Sequence, residues 1–171
     1  MELVKGGRAF VAGVVGGTIM SVGMAIAREV FAIPIQLEMM LGTATGLGTG
    51  RGTFAIGLVM HLIASGLIAE LYAFAFERIA HRSGALPGVV LAIPHMVIGG
   101  LVVGAMPAIH PSLPDTLVAP GPFLSFLGDG AVLFFVITHA LYGAFVGTAY
   151  GPVAEPVRTK LELPTFGRRT V

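Results

Sequence analysis

Four long, mostly apolar stretches, which together hold a single charged residue, leave this chain few structural options. They run about residues 9–27, 54–76, 88–109 and 131–152. Each has roughly the 20 residues that a helix needs to cross ~30 Å of hydrocarbon. Lipid offers the backbone no hydrogen bonds, so every N–H and C=O must be satisfied within the run, which makes each one a helix. The sequence therefore predicts an all-α fold, a four-helix transmembrane bundle, with residues 1–171 forming a single integral membrane domain. Of the 171 residues 55% are hydrophobic and 11% are charged, whereas a soluble domain carries about 25% charged residues.

Every basic residue falls outside the runs, and their distribution sets direction. Lys5, Arg8, Arg78, Arg82, Arg158, Lys160, Arg168 and Arg169 lie on one side, and only Arg28 and Arg51 on the other. Positively charged loops stay inside, so both termini are expected in the cytoplasm. Run one follows Lys5 and Arg8 and ends in Ala25-Ile26-Ala27, as a cleavable leader would, but it is too long for a leader and is expected to be retained. A net charge of +1 excludes a nucleic-acid surface. The absence of cysteine excludes disulfides, thiolate metal sites and a cysteine nucleophile. The expected partners are the lipid bilayer and other membrane subunits or a second copy of the chain.

Two outer segments, 28–53 and 110–130, are too apolar to stand free in water and are expected to fold over the outer end of the bundle. Residues 34–41 read as a short amphipathic helix followed by a glycine-rich loop. The alternation Gly46-x-Gly48-x-Gly50-x-Gly52 is no nucleotide fingerprint, because no strand precedes it.

Runs two and four share a stripe: His61, Ser65, Ala69, Tyr72 and His139, Gly143, Gly147, Tyr150. Steps of four, four and three keep each series on one helix face. With Gly13-Val14-Val15 matched by Gly88-Val89-Val90, the stripe suggests a two-helix hairpin repeated in parallel. Gly13, Gly17, Gly100, Gly104, Gly143 and Gly147 are the expected helix-packing positions, within one bundle or between copies.

An imidazole within a lipid-soluble helix is costly unless something pairs with it. His61 and His139 sit at similar depth, about two turns from the outer end. They are candidates to bind a cofactor, a b-type haem held by two imidazoles. The alternative is an interhelical hydrogen bond, with Thr138 a local candidate. Two histidines without nearby carboxylates are too few for a metal site, so none is expected. Glu70, the one acidic residue deep in a run, reaches the depth of His95, which suggests a proton-sharing pair. Alternatively Glu70 is protonated or reaches toward the cytoplasmic end. Pro94 is expected to kink run three beside His95. Tyr72 and Tyr150 are expected to anchor the inner boundary, and His81 and His110 to lie in solvated loops.

The fourth-run pattern His139-x3-Gly143-x3-Gly147-x2-Tyr150-Gly151 resembles that of uncharacterised small four-helix bacterial inner-membrane proteins. The resemblance covers about one helix. It implies the four-span architecture and a bacterial inner (plasma) membrane, and it implies no chemistry. The leading expectation is a non-catalytic subunit or scaffold of a larger membrane assembly. The alternatives are a haem- or pigment-binding redox subunit through His61 and His139, and an oligomeric small transporter or proton path through Glu70 and His95. No nucleophile–base set, phosphate loop or carboxylate pair points to an enzyme.

Overall fold

The computed structural model describes residues 4–113 and 115–153. Among these residues there is no strand, and four helices are long and apolar enough to cross a membrane. In chain order the elements are α1 (Gly6–Phe31), the short α2 (Leu37–Thr43), α3 (Arg51–Ala75), α4 (Ala85–Ala105) and α5 (Asp129–Tyr150). A π-helical turn, Phe76–Ala80, extends α3, and 3-10 turns occupy Met106–Ala108 and Pro122–Leu127. α1 outruns its apolar stretch at both ends, whereas α3, α4 and α5 begin two or three residues before theirs and end one to four residues short of it. Gly50 precedes α3, Gly84 precedes α4, and Gly128 and Gly151 bracket α5.

The four spans are arranged α3–α1–α5–α4. Small residues hold both hairpin pairs. A Cβ at Gly13 would lie 2.6 Å from Ala69 Cβ and 2.8 Å from Gly66 Cα, so α1 lies almost backbone to backbone on α3. In the other pair a Cβ at Gly88 would collide with the Gly143 carbonyl, and one at Gly147 with the Gly84 carbonyl. Gly84 N–H donates to Gly147 O at 2.9 Å across that contact. In lipid, where apolar surface gains little by leaving solvent, such close backbone approach is the principal source of helix association. α1 joins the two pairs through Gly16, against which the Tyr142 ring rests. α3 and α4 have no comparable backbone contact; the Tyr72 and His95 side chains meet between them.

Gly100 and Gly104 serve a different neighbour from the one expected. Their faces receive Phe123 and Pro122 of the outer 3-10 turn, not another span. Phe123 and Leu124 both adopt positive φ, 56° and 64°, a strained choice for side-chain-bearing residues. The seating of Phe123 on Gly100 and the burial of Leu124 offset that strain. The segment at 34–41 does form a short helix, shifted to Leu37–Thr43. It crosses α3 at Gly57, where a Cβ would strike the Glu38 carbonyl. Both outer segments thus fold onto the end of the bundle.

Candidate functional site

Two core clusters fill the bundle. One, around Tyr72, Phe76, Val146 and Tyr150, lies toward the end where α1 begins and α5 ends; the other, around Met24, Ile35, Leu124 and Phe135, lies toward the segments that precede α3 and α5. Between them is a cavity of about 220 Å³. Its wall is apolar apart from His61, Ser65, His95, Thr138, His139 and Tyr142. The α2 region closes one end with Ile35, Leu37 and Leu41, and Leu124 of the 3-10 turn contributes beside them. Two lining residues, Ala64 of α3 and Val102 of α4, are exposed, so the cavity opens on the side where α3 and α4 stand apart.

The stripe does bring His61 and His139 to one place, and the fold adds His95. The His95 and His139 rings lie 4.9 Å apart between centroids, and His139 also packs on Phe135 at 4.1 Å. His61 lines the same cavity as these two. His139 Nδ1 lies 2.8 Å from the Phe135 carbonyl. A carbonyl can only accept, so Nδ1 carries the proton and Nε2 presents a lone pair. That Nε2 lies 3.9 Å from where a Cβ on Gly99 would sit. His95 Nδ1 is 3.2 Å from the Tyr72 hydroxyl. Among the described residues the Tyr72 hydroxyl has no other acceptor, so it donates to Nδ1 and leaves the His95 proton on Nε2. His61 is 6% exposed, and its Nδ1 is buried with no hydrogen-bond partner.

The cavity's hydroxyls are already engaged. Ser65 Oγ donates to the His61 carbonyl at 2.8 Å, Thr138 Oγ1 to the Phe134 carbonyl at 2.8 Å, and the Tyr142 hydroxyl to the Ser65 carbonyl. Thr138 is therefore not the partner of His139. Tyr142 escaped the sequence reading, although it follows His139 by three residues and so shares its face.

Glu70 and His95 are not paired. Residues 70 and 72 point about 200° apart around a helix, and Tyr72 holds the face toward α4. The Glu70 carboxyl lies beside Gly6, with Oε1 3.7 Å from the position of a Cβ there. It thus places an acidic group at the positive end of α1. Tyr72 and Tyr150 are not boundary anchors either; they are 5% and 0% exposed, and Tyr150 donates to Glu77 Oε1 at 2.7 Å. His110, expected in solvent, is buried: Nδ1 accepts the Ser112 N–H at 3.1 Å, and Nε2 donates to the Met40 carbonyl at 2.8 Å. It ties the 110–130 segment to α2. Near it, Glu38 is 1% exposed and paired with Arg28 at 3.2 Å.

The space does not suit a haem. Pockets that bury a drug-sized ligand run about 300–1,000 Å³, more than this cavity holds. Among the described residues no three His, Asp or Glu side chains are placed to hold a metal ion. Comparison of the chain with protein-family models, curated proteins and solved structures finds no match.

Proposed function

We propose that the chain is a non-catalytic multi-pass protein of the bacterial plasma membrane, with both termini cytoplasmic, that holds a small lipid-soluble molecule among its helices, alone or as a subunit of a larger membrane assembly. The observation that carries this reading is the cavity of about 220 Å³, where three helices contribute imidazoles to an otherwise apolar wall that is open between α3 and α4. Buried ionisable groups in membrane helices are expensive and mark function by default. The engaged hydroxyls of Ser65 and Thr138 leave no activated nucleophile in that wall, which favours binding over catalysis. The separation of Glu70 from His95 removes the acid–base pair on which the proton-path reading rested.

Gly99→Leu tests the reading. A Cβ at Gly99 meets only ordinary contacts, 3.9 Å to His139 Nε2 and 4.0 Å to Phe135 Cζ, so the rest of a leucine grows into the cavity. Native mass spectrometry of the protein released from membranes should show a small lipid-soluble adduct on the parent and none on the variant. A bare parent, or equal adducts on both, overturns the proposal.

A further inference from the structure

The pattern of protons around the cavity narrows what it takes. His139 presents a lone pair on Nε2, since its Nδ1–H is engaged by Phe135 O at 2.8 Å. His95 presents an N–H on Nε2, since its Nδ1 accepts from Tyr72 at 3.2 Å. Neither Nε2 is hydrogen-bonded to a described residue, and neither is sealed off as His61 Nδ1 is. The two rings are 4.9 Å apart, at 65° to one another. An acceptor and a donor side by side in an apolar wall match one group that both donates and accepts. Among the described residues no Lys, Arg, Asp or Glu lines the cavity, so a charged ligand would find no counter-ion among them.

We infer that the cavity takes a neutral, lipid-soluble alcohol or phenol, its hydroxyl donating to His139 Nε2 and accepting from His95 Nε2–H, its apolar remainder leaving between α3 and α4. A ketone or ether oxygen accepts only. It would satisfy His95 and turn a lone pair toward that of His139, so the site discriminates against it. The cavity, smaller than a drug-sized pocket, holds the hydroxyl end of the ligand. Ala64 and Val102, exposed at its open side, let a longer tail pass into the bilayer. Tyr72 acts through His95 and is a positioning residue.

This inference rests on the cavity being a binding site, and the test separates the two. Binding of 4-butylphenol, its methyl ether 4-butylanisole, and butylbenzene is measured to the protein in lipid nanodiscs, with protein-free nanodiscs as the baseline for partition into lipid. The parent is expected to bind the phenol about tenfold more tightly than the ether. His139→Phe, which keeps the His95 N–H, is expected to bind phenol and ether alike, and Gly99→Leu to show no binding above that of protein-free nanodiscs. Equal affinity of the parent for phenol and ether overturns the hydroxyl inference while leaving a binding cavity in place. No binding of any probe to the parent overturns it as well. A measurement on the parent alone guards against a variant that fails to fold: the ¹⁵N resonance of His139 Nε2 should move on adding the phenol and stay put with the ether, and the reverse pattern, or no movement with either, overturns the inference.

Discussion

A histidine inside a membrane helix is defined by what each ring nitrogen touches, and in this bundle the neighbours fix the proton on two of them. Tyr72 sets His95, and the Phe135 carbonyl sets His139. Removing the Tyr72 hydroxyl frees His95 to carry its proton on either nitrogen. Tyr72→Phe should lower unfolding stability in detergent by about 0.6 kcal/mol, the average for an interhelical hydrogen bond in lipid. Its ¹⁵N spectrum should turn from a single Nε2–H form of His95 to a mixture. A variant with unchanged stability and the same single form would show that Tyr72 does not set the ring. His61 and His139 were legible as a pair because their stripe repeats on one helix face. His95 was legible only as a polar residue at some depth. Its partners depend on which face of α3 looks toward α4, and no local pattern states that. His110 was misread for a related reason: a loop residue looks solvated until the α2 carbonyl that it donates to is known.

At the scale of elements, the close contacts are made by glycines whose missing side chains admit a neighbouring backbone. Gly88→Val would drive a branched side chain into the Gly143 carbonyl and part α4 from α5. The expected cost is about 1–3 kcal/mol or more, read as a lower melting temperature by circular dichroism in detergent. Gly7→Ala is the control, since a Cβ there meets nothing within 4 Å, and it should melt no lower than the parent. Equal melting of Gly88→Val and the parent would remove this contact from the account of the bundle. The small-residue positions were readable in the sequence, but their assignments were not. Gly13, Gly17, Gly143 and Gly147 do meet helices, whereas Gly100 and Gly104 accept Phe123 and Pro122 from an outer segment. A notch in a helix looks the same whichever group fills it.

For the whole molecule, the eight-to-two division of basic residues predicts an orientation as well as a fold. A reporter active only outside the cytoplasm should be silent when fused after Val171 and active when inserted at Gly48, an exposed loop position. The opposite pattern would invert the bundle and place the cavity near the inner leaflet. The sequence by itself determined the all-α architecture and the number of spans. Both follow from local requirements: a length of apolar chain, and backbone groups that lipid cannot satisfy. Only the tertiary structure decided that α3 and α4 stand apart, that His95 joins His61 and His139, and that Glu70 turns to the start of α1 instead. Those outcomes depend on how each helix is rotated about its own axis. Spans that are apolar on nearly every face carry no amphipathic stripe to announce that rotation. It is settled by which small residues let backbones meet and which polar atoms then find partners.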